Sequence, residues 1–322
     1  MTALKSVISI AVLAISQFVH ADDVYPSRPI RIVVPIAAGG VNDVQARAFA
    51  LELQKKLGQP VIIENRPGGN FVIGSMAVAS APPDGYTLGW AISAQLSLNP
   101  LVYKTLPYKP EQFELLAPIS KGHQLIVVPK NVKANTLQEW IEDIKKSGQP
   151  APVGVSSYGG TTHLMAEDLA ERAGFTIQPI VFRGEAPAGA DLAAGQLPAL
   201  SGVVPTVLEY HRTDKVKILA ISSEKRLPEL PGVPTFKELG YPIVTAFWNG
   251  LFAPQGTPKA IVDKLSALSQ EVVASPEYRA RLSSMPDLNL VPGGPSAIKE
   301  LIRNDQEYYG RIIRIKNISV DK

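Results

Sequence analysis

The stretch Arg31-Ile32-Val33-Val34-Pro35-Ile36-Ala37-Ala38-Gly39-Gly40-Val41-Asn42-Asp43, carried on to Leu57-Gly58-Gln59-Pro60-Val61-Ile62-Ile63, decides the fold class. Residues 31–34 form a mostly β-branched run between Pro29 and Pro35, the pattern of a buried strand. Residues 42–57 then take a helical period, with Val44, Ala48, Leu51 and Leu57 on one face. Asn42 suits the N-cap and Gly58 the C′ position. Residues 61–63 read as a second strand. Strand, helix and strand in immediate succession begin an α/β alternation.

The alternation continues in the C-terminal direction. A helix is expected at 73–80 and strands at 86–91 and 125–128. Thr136-Leu137-Gln138-Glu139 is a capping box that opens a helix to 146. Strands at 153–155, 179–182 and 216–221 alternate with helices at 162–173 and 187–194. A strand ends at 251–253. Thr257 as N-cap and Pro258 at the first helical position open a helix to 274. Ser275-Pro276 repeats that device, and a last helix is expected at 296–315. This order predicts largely parallel sheets. No internal repeat or flexible linker is present, so two domains, as a length of 322 residues allows, would be joined by ordered crossings.

Composition removes several function classes. There is no cysteine, so disulfide scaffolds, iron–sulfur clusters, Cys-type zinc sites and cysteine nucleophiles are excluded. The net charge of +3 is spread without a basic run, which gives no support to nucleic-acid binding. Residues 1–21 carry Lys5, an apolar run from Val7 to Val19, and Val19-His20-Ala21. That is the layout of a cleaved secretory signal peptide. The alternative is a membrane anchor, but the run falls short of the roughly 20 apolar residues a span needs. No cysteine follows for lipid attachment. The expected product is a freely diffusing periplasmic protein.

Ligands of open α/β sheets sit beyond the carboxyl ends of the strands, where helix N-termini offer unpaired N–H groups. Three strand-to-helix loops qualify. The first runs from Pro35 to Asp43 around Gly39 and Gly40. The second is Ser156-Ser157-Tyr158-Gly159-Gly160-Thr161-Thr162-His163, dense in hydroxyl donors suited to a carboxylate. The third is Phe182-Arg183-Gly184-Glu185-Ala186-Pro187. Each could equally be ordinary turn and cap chemistry; three together favour binding.

Catalytic signals are thin. There is no G-x-S-x-G elbow and no G-x-G-x-x-G. Residues 69–75 have a P-loop's glycine spacing but Ser75 in place of the lysine. Ser222-x-x-Lys225 and Ser296-x-x-Lys299 lack the companion β-lactamase motifs. No two histidines have metal-ligand spacing. His163 reads as a ligand contact or as a helix-start residue packed at the surface, and Trp248 as a cleft wall or as core. An enzyme, a metal site and a cofactor are therefore not expected.

Taken together, the motifs resemble the Bug family, the periplasmic solute-binding receptors associated with tripartite tricarboxylate transporters. The resemblance rests on Tyr25-Pro26-Ser27-Arg28-Pro29-Ile30-Arg31, Glu64-Asn65-Arg66-Pro67-Gly68, Pro83-Asp84-Gly85-Tyr86-Thr87-Leu88, Leu230-Pro231-Gly232-Val233-Pro234-Thr235 and Leu251-Phe252-Ala253-Pro254 with Gly256-Thr257-Pro258. It implies an α/β, two-lobed type II periplasmic-binding-protein (Venus flytrap) fold with interleaved lobes and a ligand cleft between them. One lobe would hold residues 24–122 and 247–322, and the other 123–246. It implies a monomer that captures a small organic carboxylate and presents it to membrane permease subunits. A ligand sensor that signals to a membrane protein is the alternative, and a periplasmic enzyme on a similar fold a remote one.

The implied binding residues are Ala37, Ala38, Gly39, Gly40 and Asp43 in the first loop, and Ser93, Ala94 and Gln95 beyond the third strand. Ser156, Ser157, Tyr158, Gly159, Thr161, Thr162 and His163 follow in the hydroxyl loop. Phe182, Glu185, Ala186, Pro187, Ser201 and Gly202 complete the wall. Three positions depart from the family's usual pattern: Glu185 replaces a small residue, Ser201-Gly202 a pair such as Phe-Asp, and Ser157-Tyr158-Gly159-Gly160 a Ser-Gly-x-Gly run. Glu185 is expected to point to solvent and pair with Arg183. If it faces inward instead, the ligand should carry an amine or amide, whereas the loss of the acidic residue near Ser201-Gly202 weakens the case for an amino acid. Tyr158 could stack on a flat ligand.

Overall fold

The structure is a computed structural model that describes residues 25–320. The proposed signal peptide lies outside the described residues. The order begins β1 (Ile30–Val34), α1 (Val41–Leu57), β2 (Val61–Asn65), α2 (Val72–Ala79), β3 (Thr87–Ile92), α3 (Asn99–Val102), β4 (Phe113–Pro129). It continues α4 (Leu137–Ser147), β5 (Ala151–Val155), α5 (Thr161–Ala173), β6 (Ile177–Val181), α6 (Glu185–Ala193), β7 (Leu200–Val203), α7 (Val204–Arg212), β8 (Val216–Ile221). The chain closes with β9 (Ala246–Pro254), α8 (Lys259–Ala274), α9 (Pro276–Arg281), β10 (Asn289–Leu290) and α10 (Pro295–Lys316).

Two sheets share one long strand. β1 pairs in parallel with β2 and β3, and β9 lies antiparallel between β3 and the first part of β4. In the other sheet β5 pairs in parallel with β6 and β7, while the end of β4 lies antiparallel to β7 and β8. The expectation of largely parallel sheets is therefore corrected to a mixed arrangement. β4 and β9 are the reason: β4 meets every strand partner antiparallel, and β9 runs antiparallel to β3 as well. The partner of β4 changes from β9 to β7 between His123 and Gln124, and bulges break its register between Leu115 and Ala117 and between Pro118 and Ser120. Bulges bend and twist a strand, which lets one strand serve two sheets.

Each sheet buries apolar side chains on both faces. Ile30, Ile32, Phe49, Leu53 and Trp90 form one layer of the first sheet's core, and Val33, Trp248, Phe252 and Ile298 the other. Trp248 is core: it is buried, and its indole N–H donates to Asp305 at 2.8 Å. The second sheet packs Trp140, Leu169 and Phe236 on one side, and Leu125, Leu192 and Val207 on the other.

The caps are partly as read. Thr136 Oγ1 accepts the Glu139 N–H at 3.1 Å, and Ser275 Oγ accepts that of Tyr278 at 3.2 Å. Gly58 closes α1 at φ 69°, where an L side chain would be strained. Asn42 does not cap α1; Gly40, two residues earlier, holds that position in an extended conformation, so the helix begins sooner than expected. Thr257 does not cap α8 either; its hydroxyl donates back to the Pro254 carbonyl at 2.7 Å. The apolar face of α1 is also corrected. Val44 and Leu51 are exposed while Gln45, Phe49 and Leu53 are buried, because Gln45 Oε1 accepts from Ser120 Oγ at 2.6 Å across the core.

The sheets are also tied together where the chain crosses between them. Gln124 Oε1 accepts the Thr245 hydroxyl at 2.9 Å, and Ser222 Oγ donates to the Thr245 carbonyl at 2.7 Å. A second tie joins α5 to α10. Buried Asp168 accepts from Tyr308 Oη at 2.7 Å and pairs with Arg172 and Arg311. Among the described residues no helix is long and apolar enough to cross a membrane, and no cluster of His, Asp and Glu could hold a metal ion.

Candidate functional site

The carboxyl ends of β1, β5 and β6 lead into α1, α5 and α6, and the starts of these helices line one chamber between the two sheets. The chamber holds about 150 Å³. It opens into an outer cleft of about 610 Å³ that shares Ile36, Ala37, Phe71, Ser156, Ser157, Arg183 and Gly184 with it.

No side chain caps α1, α5 or α6. The first-turn N–H groups at Val41, Asn42, Thr161, Thr162, Glu185 and Ala186 therefore have no partner within their helices. Helix N-termini carry a partial positive charge worth up to about 2 kcal/mol to an anion in a partly buried site. Small residues keep these amides approachable. Gly39 sits at φ 87° and Gly159 at φ 72°, both in the left-handed region. A Cβ on Gly160 would lie 2.1 Å from Ser157 Oγ. Glycine alone lets that hydroxyl sit against the start of α5.

The residues named from sequence divide into three groups. Ala37, Ala38, Gly40, Ala94, Ser156, Ser157, Thr161, Thr162, Glu185, Ala186 and Pro187 line the chamber. Tyr158 and Phe182 line the outer cleft. The remainder lie outside the lining. The Asp43 carboxylate turns away from the chamber to accept Gly39 N–H, Arg47 Nε and Asn65 Nδ2 at 2.8–2.9 Å. Burial pulls its carboxyl upward, but the Arg47 guanidinium and those two donors outweigh it and hold it below the usual range. Gln95 is buried, taking the Ile92 N–H at 2.7 Å and donating to Ser75 Oγ. His163 is buried rather than packed at the surface. Its Nδ1 accepts the Gly159 N–H at 2.9 Å, and its ring lies 4.6 Å from that of Tyr158. Ser201 Oγ donates to the Thr162 carbonyl at 2.7 Å. Ser93, Gly159 and Gly202 are buried outside the chamber's lining, and Gly39 is exposed outside it. These residues shape the loops. Their polarity marks loop order, which spacing alone does not separate from ligand contact.

Sequence reasoning missed part of the wall: Ile36, Val41, Asn42, Phe71, Ile92, Val203 and Phe247. Phe247 and Val203 come from strands that converge only through the shared β4, so no local signal marks them. Asn42 was read as a cap and is instead a wall residue.

Glu185 is the main correction. It does not pair with Arg183, and its Oε2 is closed to solvent with no hydrogen-bond partner. Burial pushes its carboxyl up to about 7, against the opposing pull of the Ser156 hydroxyl and the Val203 N–H. Arg183 lies at the rim of the same chamber, exposed and without an ion pair among the described residues.

An α/β body of two sheets, with helix N-termini converging on a chamber between them, belongs to the two-lobed class of the periplasmic binding proteins. The solved structure of the periplasmic binding protein BugD is similar to it, with a TM-score of 0.84 and 30% identity over 92% of this chain and 99% of that one. A structure of an R. palustris protein with adipate is similar at a TM-score of 0.86 and 28% identity, covering 92% and 99%. The protein BugT of Bordetella pertussis is 39% identical over 270 residues, 81% of this chain and 82% of its own. The model of the tripartite tricarboxylate transporter family receptor matches residues 45–318. The chain belongs to that family.

Proposed function

We propose that the protein is a periplasmic receptor that closes its two lobes on a small organic carboxylate and hands it to the permease of a tripartite transporter. The observation that carries this reading is the convergence of three uncapped helix N-termini on one small chamber. The adipate in the similar R. palustris structure supports a carboxylate. The carboxylate would be held by backbone N–H groups at Val41, Asn42, Thr161 and Thr162, helped by the hydroxyls of Ser156, Ser157, Thr161 and Thr162. Arg183 at the rim adds a cation. The lobes would comprise residues 24–122 with 247–322, and 123–246, moving about the crossings at His123–Gln124 and Thr245–Ala246. Residues 1–21 would direct export and be removed, and the receptor would act as a monomer. It would bind its ligand without transforming it.

A thermal-shift screen of ligand-free protein against small organic acids tests the reading. An acid at about 100 times its dissociation constant adds roughly 2.7 kcal/mol of stability. Ala38 is exposed at the chamber wall, so Ala38→Trp should fold and abolish the shift. Shifts that survive Ala38→Trp, or no shift with any acid, would overturn the reading.

A further inference from the structure

One loop outside the chamber touches three of its walls. Between α9 and β10, Met285 and Leu288 join an apolar cluster with Val41, Val203 and Phe247. The last three line the chamber, and Met285 and Leu288 do not. The loop is fixed to β4 where that strand leaves one sheet for the other. β10 pairs with Ser120 and Lys121 of β4. Asp287, its side chain closed to solvent, then uses both carboxylate oxygens on His123. Oδ2 accepts the His123 backbone N–H at 2.7 Å, and Oδ1 lies 2.8 Å from the ring Nδ1. His123 still pairs with β9, and the next residue, Gln124, pairs with β7. Gly122 admits the contact, since a Cβ there would lie 2.7 Å from the Phe247 ring and 3.1 Å from Asp287 Oδ2. A buried carboxylate is costly to keep unless it is hydrogen-bonded. Here its partners belong to the residue at the strand crossing, so the loop and the crossing are fixed together.

We infer that Asp287 is a positioning residue for the ligand chamber: by clamping His123 at the crossing it seats Met285 and Leu288 against Val41, Val203 and Phe247, and so holds walls from both lobes in their binding geometry. This rests on the two-lobed reading above. Asp287 acts through these walls and touches no ligand itself. Its loss should loosen the walls first and weaken binding as a consequence.

Hydrogen exchange of the ligand-free protein, read by mass spectrometry, tests this without a ligand, because local opening sets the exchange rate of each segment. Asp287→Ala should speed exchange at least tenfold in peptides covering residues 39–44, 200–206 and 245–249, and leave those from α4 and α8 unchanged. Asp287→Asn should return the rates to within about threefold of wild type, since its amide oxygen can accept the His123 N–H and its amide N–H can donate to the ring nitrogen. His123→Ala keeps the backbone N–H and should speed the same peptides by a smaller factor; it carries the test if Asp287→Ala folds poorly. Calorimetric titration with succinate, glutarate and adipate reads the consequence. Any of these bound by the wild type should bind Asp287→Ala at least tenfold more weakly, and Asp287→Asn within about threefold. Exchange unchanged at the three walls, exchange raised evenly along the chain, no rescue by Asp287→Asn, or equal affinity in Asp287→Ala would each overturn the inference. Local loosening of the walls in a protein that binds no acid would uphold it and overturn the carboxylate reading instead.

Discussion

Replacing Glu185 by Gln should change how the ligand-free protein responds to pH. Burial lifts the Glu185 carboxyl from 4.5 to about 7. A carboxyl whose folded-state pKa exceeds its unfolded value binds more protons in the folded state between the two. Stability is therefore greatest below pH 4.5, falls as pH rises through 7, and stays low above. The shift corresponds to about 3 kcal/mol in full, of which about 2.5 kcal/mol is lost between pH 5 and pH 8. Gln keeps the shape and cannot ionise. Its own buried amide carries a fixed desolvation penalty, so the informative quantity is the change in the wild-type-to-variant gap with pH. Asp305 is also pushed up to about 7 by burial, against the donor Trp248, but it is common to both proteins and cancels. At about 2 °C per kcal/mol for a chain of this size, the melting point of Glu185→Gln relative to wild type should rise by about 5 °C between pH 5 and pH 8. Calorimetric melts of both proteins at the two pH values measure it. A gap that does not change with pH, or that favours the wild type more at pH 8, refutes the reasoning.

Three further outcomes follow from the packing. Gly160→Ala should fold and weaken acid binding at least tenfold by titration, because a Cβ there displaces Ser157 Oγ, 2.1 Å away, from the start of α5. Gly89→Ala should lower stability by about 2–3 kcal/mol in denaturant melts, because its Cβ would fall 2.2 Å from the Phe252 ring in the adjoining strand. Asp168→Ala should cost about 2 kcal/mol by the same measurement, since it removes the charged acceptor of Tyr308, Arg172 and Arg311 that ties α5 to α10.

Elements defined by local chemistry were legible in the sequence. The Thr136 and Ser275 caps, the Gly58 stop and the alternation of β1, α1 and β2 depend on neighbouring residues, and the structure has them. β4 was visible only in its second half. Pro118 and the bulges interrupt any period in the first half, although most of that half is buried. β7 is four residues long and runs straight into α7, which leaves no turn signal between them. The face of α1 was misread because Gln45 and Glu52 are buried through partners far along the chain, Ser120 and Arg281. The three loops were found from their glycines and hydroxyls. Which of their side chains reach the chamber was not, since that depends on contacts made across the fold. The Glu185 carboxyl packs beside Gly202 of β7, where a Cβ would lie 3.3 Å from its Oε2, a neighbour its own stretch of sequence does not reveal.

The central claim is most directly tested by a crystal structure of the protein with the acid that stabilises it best. The account predicts one acid in the chamber, with carboxylate oxygens within hydrogen-bonding distance of the backbone N–H groups that begin α1 and α5. An acid bound elsewhere, such as the cavity between Lys121 and Tyr308, with the chamber closed and unliganded, would contradict it.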